Sequence, residues 1–257
     1  MDYAVICLVA LLGSGLTLFS GFGLGTILVP VFAMFFPIDV AIALTAIVHF
    51  LNNLFKLILL GKNADKNVIL RFGIPAVLAA ILGAYVLSML TDMQPIYNYS
   101  ISEKHFEIMP VKLTIAVLLV IFALFDVIPR LSALQFDSRY LPLGGLLSGF
   151  FGGLSGNQGA LRSAFLIRAN LSKEAFIASG VVIACMIDIS RLSVYAKHIL
   201  NLGNQLNVSL IGAATLSAFL GAYLGTKLVK KITIKMLQHL VAAMLIVFAV
   251  LLGTGII

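Results

Sequence analysis

The sequence predicts an all-α integral membrane protein with an inverted-topology repeat, each half a broken-helix hairpin followed by three transmembrane helices. Three observations carry that reading. Of the 257 residues 61% are hydrophobic and 11% charged, with mean hydropathy +1.12, a composition outside the soluble range. Apolar runs long enough to cross a bilayer recur along nearly the whole chain and leave only short loops. A glycine-interrupted segment heads each half, and the same order of segments follows it. The halves are residues 1–130 and 131–257. The net charge of +7 is spread over the loops, so the basic residues act as topology signals and no nucleic acid is expected as a partner.

The first segment runs from Ala4 to Phe36. As one unbroken helix it would be about 50 Å long, against a hydrocarbon core of about 30 Å. The cluster Ser20-Gly21-Phe22-Gly23-Leu24-Gly25 interrupts it near its middle, Pro30 follows, and Pro37 ends it. The expectation is a hairpin with its tip at mid-membrane and Thr26 opening the return arm. Met1-Asp2-Tyr3 offers no basic stretch, so a cleaved signal peptide is not expected there. Ile38 to Leu60 is a full span, followed by a basic loop with Lys62, Lys66 and Arg71. Phe72 to Leu90 spans again. A polar loop from Thr91 to Val111 carries Asp92, Glu103, Glu107, Tyr97 and Tyr99, and Leu113 to Ile128 closes the half before Pro129 and Arg130.

In the second half Leu141–Arg168 is broken by Ser155-Gly156-Asn157-Gln158-Gly159, and Leu171–Tyr195, Leu206–Val229 and Ile234–Ile256 are spans. Gly25 and Gly159, Ala41 and Ala175, and Thr45 and Ser179 each stand 134 positions apart; Leu82-Gly83-Ala84-Tyr85 returns as Leu220-Gly221-Ala222-Tyr223. Lysine and arginine fix the relative direction of the halves. If Leu141–Arg168 returns to its own side, one face holds Lys56, Lys62, Lys66, Arg71, Arg130, Arg139, Arg168, Lys173, Lys227, Lys230, Lys231 and Lys235. The other holds Lys104, Lys112, Arg191 and Lys197, so the count is 12 against 4. A single crossing would give 8 against 8. Only the hairpin yields a positive-inside bias, and an odd number of crossings per half inverts the second half. Both termini then lie on the non-cytoplasmic side of the cell (inner) membrane.

Two broken hairpins entering from opposite faces would bring two helix N-termini to the membrane centre, where free N–H groups and the positive dipole ends favour an anion. Gly23, Gly25 and Gly159 let one approach, and Thr26, Asn157, Gln158 and Ser163 offer donors. Arg162 is costly inside a membrane, by about 2.5–3.5 kcal/mol, and also sits in the first turn of a helix whose dipole end is already positive. A bound anion would relieve both. Tight helix packing is the simpler account of Gly21 or Gly149 alone. Thr45, His49, Asn52 or Asn53, and Lys56 form a polar stripe along one face of the second span. That stripe is either a hydrogen-bonded helix seam or a substrate contact. His49 and Asp188 are the proton-coupling candidates, while Asp188 and Arg191, three residues apart, suit pairing with each other. Cys7 and Cys185 lack metal or redox spacing. No Walker, nucleophile-elbow or paired-carboxylate pattern occurs, so no catalytic residue, metal or cofactor is expected.

Gly21-x-Gly23-x-Gly25-x-x-x-x-Pro30, followed by Pro37 and Ala41-x-Ala43-x-Thr45, resembles the first-half signature of the sulfite exporter TauE/SafE family, also called the toluene-sulfonate uptake permeases. The similarity covers essentially the whole chain. It implies a bacterial-type secondary transporter of sulfite, organosulfonates or related sulfur anions. In the second half Gly156-Asn157-Gln158-Gly159 replaces a fuller glycine run, and Ala164 stands where a proline would be expected, which makes Asn157, Gln158 and Arg162 candidates for a subgroup-specific site. The reading is therefore an exporter of a small sulfur oxyanion bound between the hairpin tips. A proton-coupled importer and an intramembrane enzyme using His49 and Asp188 are the alternatives. A small anion and the bilayer are the expected partners, with self-association in a homo-oligomer left open.

Overall fold

A computed structural model describes residues 2–20, 23–202, 207–228 and 234–257. Gly21 of the first glycine cluster and Lys230 and Lys231 of the charge count lie outside them. The chain is an all-α membrane protein apart from one small β-hairpin. Its helices are α1 (Asp2–Ser20), α2 (Leu24–Ala33), α3 (Ile38–Leu60), α4 (Ile74–Thr91), α5 (Pro110–Val127), α6 (Leu141–Ser155), α7 (Gly159–Leu166), α8 (Lys173–Leu202), α9 (Val208–Leu228) and α10 (Ile234–Gly253). Among the described residues four stretches are long and apolar enough to cross a membrane: Val40–Leu59, Lys66–Thr91, Lys173–Ala196 and Val208–Gly225. Shorter apolar helices accompany them, among them Tyr3–Thr17, Leu24–Ala33, Pro110–Phe125 and Val241–Gly253.

Both expected interruptions are present. The first apolar segment divides into α1 and α2, and the Leu141–Arg168 segment into α6 and α7. α3 begins and ends where the apolar run does. The fold departs from the sequence reading ahead of α4. The helical path starts at Lys66, capped by the Asp65 carboxylate on the Val68 N–H at 2.8 Å, and runs through a π-helical turn, Ile69–Gly73. Pro75 lacks an N–H and crowds the preceding turn, and a widened turn accommodates it. The loop expected between Thr91 and Val111 also holds structure. β1 (Tyr97–Ile101) and β2 (Lys104–Ile108) pair antiparallel with Tyr97 opposite Ile108, and Ser102 at φ 56° lies in their turn. Tyr99 stacks on Phe106 at 5.2 Å, and its hydroxyl donates to the Thr254 carbonyl at 2.6 Å. The hairpin is thus tied to the chain's C-terminal end.

Helix pairing follows a regular exchange. α1 packs along α9, and α6 along α4; α3 meets α9, and α8 meets α4; α3 packs on α8, and α5 on α10. Small residues set the closest crossings. A Cβ at Gly149 would land on the carbonyl of Ala76, one at Gly153 on that of Ala80, and one at Gly83 on that of Phe150, so α4 and α6 touch backbone to backbone. At the α1–α9 crossing a Cβ at Gly221 would land on the Leu11 carbonyl. The glycines of the two Leu-Gly-Ala-Tyr copies therefore do the same job against the opposite half. Tyr85 and Tyr223 are exposed.

Candidate functional site

The first tip forms where α1 ends at Ser20 and Gly23, extended at φ −84° and ψ 138°, precedes α2. The Thr26 N–H closes the turn on the Gly23 carbonyl at 3.1 Å. A Cβ at Gly23 would stand 3.6 Å from His49 Nε2 and 3.7 Å from the Gly156 carbonyl oxygen; one at Gly25 would stand 3.6 Å from that oxygen and from His49 Cδ2. The two tips therefore touch each other, with the His49 ring beside them, halfway along α3.

Gly156 makes the second tip. It is left-handed at φ 78° and closes α6 through its N–H to the Gly152 carbonyl at 2.9 Å. Glycine is required there twice, since L-residues disfavour that φ and a Cβ would come 2.9 Å from Arg191 Nη1. Asn157 and Gln158 follow before α7 begins at Gly159. Ser148 Oγ donates to the Gln158 carbonyl at 3.0 Å, and Arg162 Nη1 donates to Gln158 Oε1 at 3.2 Å.

A buried polar chain links the tips through α3 and α8. His49 Nδ1 lies 2.7 Å from Asp188 Oδ2, and Asn53 Nδ2 donates to the same oxygen at 3.0 Å. Arg191 Nε donates to Asp188 Oδ1 at 3.0 Å. Arg191 Nη2 is 2.9 Å from that oxygen but off the line of a hydrogen bond, and Nη1 has no partner among the described residues. His49 is 3% exposed, and Asp188 and Arg191 are fully buried. Removing one member of such a buried pair costs about 3–5 kcal/mol, because the other charge is stranded. One turn beyond Arg191, the Tyr195 hydroxyl donates to the Gly153 carbonyl at 2.7 Å and pins α8 to α6 beside the break.

The structure thus gathers Gly23, Gly25, His49, Asn53 and Asp188 around the meeting tips. Thr26 is buried in the first turn of α2, and Gly159 is buried at the start of α7. Asn157 is 3% exposed with neither amide atom partnered among the described residues, and Gln158, 1% exposed, has an unpartnered Nε2. Arg162 is half-buried in the first turn of α7; a Cβ at Gly180 would lie 3.3 Å from its Nε. Ser163, next along, is also half-buried. Asn52 faces elsewhere: its Oδ1 accepts from Ser14 of α1 at 3.0 Å, making it part of a helix seam. Lys56 is buried further along the same stripe.

The Asp188–Arg191 pair forms as its spacing predicts. Sequence reasoning missed that this pair also holds His49 and that Arg191 reaches the second tip at Gly156, as Arg162 does at Gln158. The available signal was the cost of an intramembrane arginine, which applies to Arg191 with equal force. Among the described residues no group of three or more His, Cys, Asp or Glu is placed to hold a metal ion. The unpartnered atoms at the second tip are mostly donors, Arg191 Nη1, Asn157 Nδ2 and Gln158 Nε2, beside one acceptor, Asn157 Oδ1.

The family model described as Sulfite exporter TauE/SafE matches residues 6–252 of the chain, a span that includes both breaks. No curated protein and no solved structure matches it.

Proposed function

This chain belongs to the sulfite exporter TauE/SafE family, which is a transporter family rather than an enzyme family, and on that premise we propose that it exports a small sulfur oxyanion by alternating access. Sulfite or an organosulfonate is the substrate class. The anion occupies the centre of the membrane between the hairpin tips, within reach of Gly23, Gly25, Thr26, His49, Asn53, Asn157, Gln158, Gly159, Arg162 and Ser163. One observation carries this reading. The start of α2 meets the second break at Gly156, beside buried cationic and amide donors that lack partners among the described residues. Leaving such donors unmatched costs about 1–3 kcal/mol each, and an oxyanion would satisfy them.

The exchange of helix partners supports an inverted two-fold relation between residues 1–130 and 131–257. The first arm of each half packs on the Leu-Gly-Ala-Tyr helix of the other, and α3 and α8 pair across the centre. Two contacts support the assignment of chain ends to faces. Tyr3 donates to Asn207 at 2.8 Å, and Tyr99 to the Thr254 carbonyl, so the N-terminus shares a face with the loop before α9, and the β-hairpin shares one with the C-terminus. With the 12-to-4 bias, that arrangement supports a topology with both termini on the outer side of the cell (inner) membrane.

Binding to the purified protein tests the substrate class. Titration with sulfite, an alkyl sulfonate, sulfate, phosphate and acetate should show saturable binding of sulfite or the sulfonate and weaker binding of acetate. Acetate binding as tightly as every sulfur anion would overturn the sulfur-oxyanion assignment. The short His49–Asp188 contact favours one second reading, proton-coupled import, in which that pair carries the proton.

A further inference from the structure

We propose that Arg191, positioned by Asp188 and set against Gly156, is the anion-binding arginine of the second hairpin tip; this rests on the oxyanion-transporter reading above. Arg191 is fully buried. Its Nε is committed to Asp188 Oδ1 at 3.0 Å, which fixes the plane of the guanidinium. Asp188 is itself held by His49 and Asn53 on its other oxygen, so the arginine's anchor is braced from the opposite half. That leaves Nη1 without a partner among the described residues, while Nη2 stays ion-paired with Asp188 Oδ1 at 2.9 Å without a hydrogen bond to it. Nη1 lies against Gly156, where even a methyl group would come within 2.9 Å. Only a glycine leaves this edge of the arginine open to the tip.

Immediately after Gly156, the Asn157 side chain is buried with both Nδ2 and Oδ1 unpartnered, and Gln158 contributes an unpartnered Nε2. Arginine is suited to two oxygens of one oxyanion through its parallel N–H groups. A tetrahedral or pyramidal sulfur oxyanion has a further oxygen for an amide donor. Arg162 is different in kind. It is half-buried, and Nη1 already donates to Gln158, so it stands beside the tip while Arg191 forms its floor. Asp188 is a positioning residue: it sets the direction of Arg191 and touches no substrate.

Asn157 supplies a test that separates ligand from scaffold. A buried amide without partners contributes nothing to the fold, so Asn157→Ala should leave the thermal midpoint of the ligand-free protein unchanged or raised. The same variant should weaken sulfite binding at least tenfold. Arg191→Lys keeps the charge but loses the paired N–H edge, and should also weaken sulfite binding at least tenfold. If the wild-type protein binds sulfite and both variants bind it equally well, the site lies elsewhere and this assignment is overturned, with the transporter reading intact. If Asn157→Ala instead lowers the midpoint with affinity unchanged, the amide is structural and the assignment fails on that arm. Absence of binding by any oxyanion to the wild-type protein would remove both readings together.

Discussion

Arg162 has one polar partner and one small neighbour. Gln158 Oε1 accepts from Nη1, and Gly180 on α8 leaves room for the guanidinium edge. It lies in the first turn of α7, where the dipole is unfavourable to a cation, and a second cation, Lys56, is buried on the α3 stripe. A bound anion would relieve the burial of both. Arg162→Ala should therefore weaken sulfite affinity at least tenfold, about 1.4 kcal/mol, in a protein that still folds, and Arg162→Lys should restore part of it, as measured by calorimetric titration. Unchanged affinity in the folded alanine variant would assign the arginine to packing. Residue identity made this much legible: an arginine or a histidine inside an apolar run declares itself. The direction of a side chain across the fold did not. Asn52 and Asn53 are neighbours in sequence, yet one turns to Ser14 of α1 and the other to Asp188 of α8.

The elements themselves were largely readable, because periodic apolar runs bounded by glycine and proline leave few alternatives. The β-hairpin was not, since Asn98-Tyr99-Ser100-Ile101 and His105-Phe106-Glu107-Ile108 are mostly polar and gain their strand geometry from Tyr99–Phe106 stacking and from docking at Thr254. Which glycines are structural also required the fold. Gly149 and Gly153 stand where any side chain would meet the α4 backbone, whereas Gly212 on α9 has open space around a Cβ. Gly149→Ala and Gly153→Ala should each cost about 1–3 kcal/mol by overpacking and lower the thermal midpoint in detergent. Gly212→Ala should raise it, since alanine gains about 1 kcal/mol over glycine in a helix. A Gly149→Ala protein as stable as its parent would mean that α4 and α6 part easily, and that the crossing is a sliding rather than a fixed contact.

At the scale of the whole molecule, the asymmetry of the centre bears on direction. The repeat places Ile183 where the first half has His49, and Leu28 where the second has Arg162, so backbone symmetry carries unequal chemistry. Lys56 lies towards the end of α3 and Arg162 in the first turn of α7, the side that the proposed topology would make cytoplasmic. An anion entering from that face would meet two cations before Arg191, one turn short of Tyr195, whose hydroxyl is tied to Gly153. On the export proposed above, that arrangement would load from the cytoplasm. A membrane potential of 100 mV, negative inside, drives each unit of anionic charge outward with about 2.3 kcal/mol, so export requires no coupled ion. Import of the same anion would have to carry compensating protons, and the His49–Asp188 pair is the place for them. In proteoliposomes holding sulfite, a potassium-diffusion potential negative inside, with equal pH on both sides, should accelerate efflux severalfold over the rate at zero potential. Efflux indifferent to the potential, together with uptake that appears only when the outside is acidified, would replace uncoupled export with proton-coupled import. The central pair would then be read as a proton carrier rather than as the brace for Arg191.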